Sequence, residues 1–134
     1  MTRFSAILIG HESLTIQCGA MLVEAGHTLV AVVSNDSAVL AWADAQGVEV
    51  IAPGKGLAQR LAGRSFDWIV SAANLAMLPP SVLALPSKGA VNFHDGPLPA
   101  RAGLNTPVWA LLNGDARHGI TWHLMEAGVD TGAI

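Results

Sequence analysis

Two kinds of apolar segment alternate along the chain. The runs AILIG (6–10), TLVAVVS (28–34), VEVI (48–51), DWIVSAA (67–73) and AVNFH (90–94) are short, rich in branched residues and almost without charge. They predict buried strands, because a strand covered on both faces reads as a continuous apolar run. Between them, SLTIQCGAMLVEAG (13–26), SAVLAWADAQG (37–47), GLAQRLAG (56–63), PPSVLALP (79–86) and TPVWALLNG (106–114) predict helices. Ser13 is the expected N-cap of the first and Asn35-Asp36 opens the second. Gly26, Gly47 and Gly114 are the expected stops, and the last two helices carry proline in their first turn. GITWHLM (119–125) alternates apolar and polar residues and predicts a sixth strand.

Strands that alternate with helices through short loops build βαβ units. The fold class expected is therefore α/β: a Rossmann-like open, mostly parallel sheet with helices on both faces. In such sheets ligands bind beyond the carboxyl ends of the strands. The stretch NFHDGPLPARAG, which begins inside the fifth strand run, lies in that zone. It ends a buried strand on Asn92, His94 and Asp95 and then stiffens the loop with prolines.

Composition narrows the class. The 134 residues suit a single domain spanning 1–134, and 51% hydrophobic against 13% charged residues excludes a disordered chain. A net charge of −3 without a basic run speaks against nucleic acid as the main partner. No apolar run approaches the ~20 residues of a membrane helix, and the apolar N-terminus is too short for a signal sequence. Cys18 is the single cysteine, so no internal disulfide forms and a reducing cytoplasm is the expected compartment.

Three constellations are candidates for chemistry. The first strand-to-helix turn, GHESLTIQCG, lacks both the G-x-G-x-x-G and the G-x-x-x-x-G-K-[ST] patterns, so a dinucleotide or P-loop site is not expected. His11 and Glu12 in that turn could touch a ligand, but an exposed loop pair explains them more simply. His94, Asp95, His118, His123 and Asp130 are the metal-ligand types present. None has the H-E-x-x-H spacing, and His118 and His123, an odd number apart, would face opposite ways along a strand, so no catalytic metal is expected. The third set is Asn92, His94 and Asp130. Residues 92 and 94 share a strand face, as do Thr121 and His123, and Asp130 sits in a turn-rich loop able to fold back over the strand ends. A carboxamide, an imidazole and a carboxylate together can stabilise an oxyanion and move protons without a covalent intermediate. On spacing alone, a hydrogen-bonded core histidine and a loop-capping aspartate explain the same residues more simply. Cys18, inside the first helix, is expected to be inert.

The ordered motifs N-x-H (92–94), a Leu-Pro loop (98–99), P-x-x-A-x-x-x-G (107–114), HGITWH (118–123) and D-x-G-x-I (130–134) resemble the folate-dependent formyltransferases. Within that family the chain is most similar to the formyltransferase domains of nonribosomal peptide and polyketide synthetases. The resemblance spans the whole chain and implies the family's N-terminal catalytic domain. It implies 10-formyltetrahydrofolate as co-substrate, without a metal, and Asn92, His94 and Asp130 as the catalytic triad. It implies that the pterin lies against Met77 and Leu78 and against the loop Glu126, Ala127, Gly128, Val129 and Asp130. Protonated His94 and the Asn92 amide would stabilise the oxyanion, with Asp130 holding His94 charged.

Two departures concern the acceptor. The family's Pro-Ser-Leu-Leu-Pro is here Asp95-Gly96-Pro97-Leu98-Pro99, and its Tyr-Arg-Gly is Arg101-Ala102-Gly103. The expected acceptor is a small-molecule amine or an aminoacyl group on a carrier protein. The alternatives are a formyltetrahydrofolate hydrolase or dehydrogenase-type domain, a methionyl-tRNA formyltransferase-like enzyme, and a non-catalytic folate-binding module. Because the family's domain continues beyond D-x-G-x-I, the chain is expected to be a fragment that leaves a strand edge and an apolar face uncovered.

Overall fold

A computed structural model describes residues 2–134. The elements run β1 (Ser5–Ile9), α1 (Ser13–Glu24), β2 (Thr28–Val33), α2 (Ser37–Ala45), β3 (Val50–Ile51), α3 (Leu57–Leu61), β4 (Trp68–Ser71), α4 (Pro80–Leu83), β5 (Gly89–His94), α5 (Thr106–Asn113) and β6 (Thr121–Leu124). One six-stranded sheet has the order β3-β2-β1-β4-β5-β6. Strands β1 to β5 pair in parallel, and β6 joins β5 antiparallel.

The two-residue period of the strands sorts the core into two layers. Ile7, Ile9, Val33, Ile51 and Ile69 pack with Leu57 and Leu61 of α3 and Val82 of α4. Ala6, Leu8, Val32 and Val70 face the other way, onto Val39, Trp42 and Ala43 of α2 and Ile16, Cys18 and Leu22 of α1. Helices therefore cover both faces of the central strands, which is why β1 and β2 tolerate no polar alternation.

Every predicted element is present, and the differences are at the ends. β4 stops at Ser71 rather than at residue 73, because Ala73 turns into the left-handed region (φ 54°). The expected N-cap of α1 is displaced by one residue. Ser13 is already helical, and Glu12 occupies the cap without a side-chain bond. The Thr15 N–H, which a cap side chain would otherwise take, donates to the Glu12 carbonyl at 2.9 Å. Asp36 does cap α2, accepting from the N–H groups of Ala38 (2.9 Å) and Val39 (3.1 Å).

The order reverses between β1 and β4, and the two chains leave the sheet close together there. A Cβ on Gly10 would stand 1.9 Å from the Ala72 carbonyl oxygen and 2.1 Å from Thr15 Oγ1. Gly10 thus serves close chain approach, and Thr15 Oγ1 donates to Ala72 O at 2.7 Å across the same gap. At the opposite edge, β6 exposes Trp122 and Leu124, and α5 exposes Val108, Trp109, Leu111 and Leu112.

At the amino ends of the strands, Asp67 joins three segments. Its Oδ2 accepts from the Ser5 N–H (3.0 Å) and Ser5 Oγ (3.3 Å), and its Oδ1 accepts from Ser87 Oγ (2.9 Å). These bonds, led by that of the Ser5 N–H, hold the carboxyl below its ordinary 3.8. A depressed carboxylate contributes stability that is present above its unfolded pKa and fades as pH falls through the folded value. Asp67→Asn is therefore expected to melt lower than wild type at neutral pH, with the gap closing as pH drops below 3.8. A gap independent of pH would show that the carboxylate charge contributes nothing.

Candidate functional site

The antiparallel pairing of β5 with β6 builds the site. It sets Asn92 opposite His123 and His94 opposite Thr121. Directly opposed residues share a sheet face, so the polar ends of two strands meet on one side. Asn92 Nδ2 lies 3.3 Å from His123 Nε2. Both histidines are 5% exposed.

Asp130 then arrives from the loop after β6 and contacts both imidazoles. Its Oδ2 is 3.5 Å from His94 Nδ1, and its Oδ1 is 3.3 Å from His123 Nε2. The Gly103 N–H donates to Oδ2 at 2.9 Å. Asp130 itself is left-handed (φ 53°), a conformation aspartate tolerates better than most residues. The turn that carries it is closed by the Leu124 N–H donating to Ala133 O at 2.7 Å. Gly132 makes that closure possible, since a Cβ there would stand 1.7 Å from the Leu124 carbonyl oxygen. The glycine of D-x-G is a steric requirement of the turn that aims the aspartate.

Hydrogen-bond partners assign the ring protons. His94 Nε2 donates to the Arg101 carbonyl, and His123 Nδ1 to the Leu124 carbonyl (3.0 Å). His94 Nδ1 therefore faces Asp130 Oδ2 at 3.5 Å as the ring nitrogen left open toward the cavity. His123 Nε2 sits between the Asn92 amide and Asp130 Oδ1: bare, it accepts from the first; protonated, it donates to the second. The cluster is a set of groups through which a proton can be stored and passed.

The loop after His94 is held from three sides. Thr106 Oγ1 donates to the Asp95 carbonyl at 2.6 Å and His118 Nε2 to the same oxygen at 2.7 Å. Thr121 Oγ1 accepts from the Leu98 N–H (3.0 Å) and donates to Gly96 O (2.8 Å). His118 thus fastens the Asp95 carbonyl. Asp95 belongs to the site after all: its Oδ1 is 4.0 Å from His94 Nδ1 and its side chain is half-exposed.

A cavity of about 630 Å³ opens above these residues. Asn92, His94 and Asp130 line it together with Met77, Leu78, Glu126, Gly128 and Val129. Ala127, expected on the same wall, does not line the cavity and is exposed. Leu78 also packs into the core, so that wall is anchored. Glu12, at the end of β1, contributes to the rim, while His11 is 3.4 Å from Ser34 Oγ and does not line the cavity. Cys18 lies in the α1 layer, and burial pushes its thiol up. Among the described residues, no group of three or more His, Cys, Asp and Glu is arranged to hold a metal ion. No helix among them is long and apolar enough to cross a membrane.

His123 is the member the strand pattern did not single out. Its period placed it on a face with Thr121, but only the antiparallel register puts it against Asn92.

Fold and site together define an α/β protein whose polar centre lies at the carboxyl end of a parallel strand, beside an antiparallel edge. The chain belongs to the formyl transferase family, whose model matches residues 24–134. It is 33% identical over 144 aligned residues to a methionyl-tRNA formyltransferase from Salinispora arenicola, covering 96% of this chain and 47% of that protein. Among solved structures it resembles glycinamide ribonucleotide transformylase 1 from Symbiobacterium toebii, with a TM-score of 0.82 at 24% identity, covering 97% of this chain and 69% of that one. It also resembles a formyltetrahydrofolate deformylase from Pseudomonas syringae pv. tomato, with a TM-score of 0.83 at 19% identity, covering 98% of this chain and 49% of that one. The chain spans about half the length of the curated methionyl-tRNA formyltransferases it matches.

Proposed function

We propose that this chain carries the catalytic site of a formyl transfer from 10-formyltetrahydrofolate to an amine, either a small molecule or an aminoacyl group on a carrier protein. The observation that carries the proposal is the convergence of Asn92, His94 and Asp130 on one cavity wall.

The donor supplies the formyl group, and the chain's residues do the rest. Two segments suit a flat heterocycle: the apolar wall at Met77 and Leu78, and the loop from Glu126 to Val129. Among the described residues, no intramolecular hydrogen bond uses the backbone of that loop, so its donors and acceptors are open to a ligand. This fits the pattern of an apolar slot with a few convergent polar groups.

The attacking amine forms a C–N bond with its lone pair as negative charge develops on the formyl oxygen. The protonated Nδ1 edge of His94 and the free hydrogen of the Asn92 amide stabilise that charge. As the bond to the folate nitrogen breaks, that nitrogen takes up the proton that the amine loses. Asp130, touching both histidines, relays this proton.

The test is a mixture of the chain, 10-formyltetrahydrofolate and an amine, followed by mass spectrometry. Formyl-amine and tetrahydrofolate are expected in equal amounts. Formate released at the same rate with or without amine would show hydrolysis instead. Donor binding with neither product would show a non-catalytic folate module.

A further inference from the structure

We infer that the acceptor amine carries a second positive charge, which Asp95 binds beside the reacting centre; the inference rests on the formyl-transfer reading and names its substrate class.

Four carboxylates, those of Glu12, Asp95, Glu126 and Asp130, line the cavity; among the described residues no lysine or arginine does, and His94 and His123 are its only other titratable groups. Three of the four carboxylates accept a hydrogen bond. Asp130 accepts from the Gly103 N–H, and Glu126 Oε1 accepts from Thr131 Oγ1 at 2.7 Å. Asp95 is the one that stands beside His94 with an oxygen to spare. Its Oδ1 shares the Thr106 hydroxyl with its own carbonyl, at 3.1 Å, while Oδ2 has no hydrogen-bond partner among the described residues. Glu12 occupies a helix cap without making a side-chain bond.

The cations nearby are turned away. Arg101 stands in the loop that holds His94, yet its guanidinium pairs with Asp115 outside the cavity. Lys55 borders an adjoining cavity on the far side of Met77 and Leu78. A phosphate or carboxylate placed beside Asp95 would meet a like charge, at a cost. A cationic group would meet a free carboxylate oxygen in a recess where water is partly excluded and the pairing is strengthened.

Geometry limits the spacing. Asp95 Oδ1 lies 4.0 Å from His94 Nδ1, so both positions are reached by one small molecule only if a short spacer separates its two nitrogens. Asp95 is held in place from its backbone by Thr106 and His118, which makes it a fixed reader of charge.

The experiment compares 1,4-diaminobutane, butylamine and 4-aminobutanoate as acceptors, by kcat/KM and by calorimetric binding, in wild type, Asp95→Asn and Asp95→Glu. The two amines differ in intrinsic reactivity, so the readout is the change in their ratio between proteins. In Asp95→Asn the diamine-to-butylamine ratio is expected to fall about three- to tenfold, as for a partly screened charge pair. Asp95→Glu, which keeps the charge, is expected to restore it, and 4-aminobutanoate is expected to be the poorest acceptor throughout. A ratio unchanged in Asp95→Asn, with amines still formylated, overturns this inference and leaves the transfer reading intact. Asp95-dependent diamine binding without any formylation overturns the transfer reading and leaves the charge recognition standing. Neither binding nor formylation overturns both.

Discussion

His94→Ala is expected to lower the rate of formyl transfer by about a thousandfold. One positioned donor to a developing oxyanion is worth on the order of 10²–10³ in rate, and His94, fixed through both ring nitrogens, is expected at the upper end of that range. The imidazole also binds the Arg101 carbonyl and faces Asp130, so its removal strips partners from two half-buried groups. That costs roughly 1–3 kcal/mol of stability, which a melting curve separates from the catalytic loss. The decisive result is the rate of folded variant under saturating donor. Transfer within threefold of wild type would remove His94 from the mechanism and, with it, the proposed role of the cluster.

Gly132→Ala is expected to cost about a hundredfold in rate without touching any reacting group. A methyl at this position collides with the Leu124 carbonyl oxygen, 1.7 Å from the ideal Cβ, so the turn from β6 must open. Asp130 then loses its hold on His94 Nδ1 and His123 Nε2. A misplacement of about 1 Å in a catalytic group is enough for a loss of this size. Asp130→Ala sets the scale, and the two variants are expected to agree within threefold. The turn lies outside the two core layers, so the melting temperature should move little in Gly132→Ala. Full activity in Gly132→Ala together with low activity in Asp130→Ala would mean that the aspartate reaches its partners by another path.

Both expectations depend on a loop whose importance is visible in the chain only as a motif. VDTGAI reads as a turn, and its resemblance to the formyltransferases marks Asp130. The distances explain the glycine two residues later as a steric condition on where that aspartate points. Asp95 shows the opposite case. As a departure from the family's loop it pointed only to the acceptor side in general; the strand end places its carboxylate beside His94, and Arg101 pairs with Asp115 instead of neutralising it.

The linear pattern determined the elements, the α/β class and the strand end on which the site sits. It could do so because burial on two faces, helical segments and turn residues are local properties, each set within a few neighbours. Asn92 and His94 shared a face for the same local reason. The tertiary structure alone decided that β6 runs antiparallel, that His123 therefore meets Asn92, and that Asp130 bridges two histidines. The Asn92–His123 and His94–Asp130 contacts join residues more than 30 positions apart, and their register depends on how the last strand closes the sheet's edge. Periodicity within one segment carries no information about which segment lies opposite it.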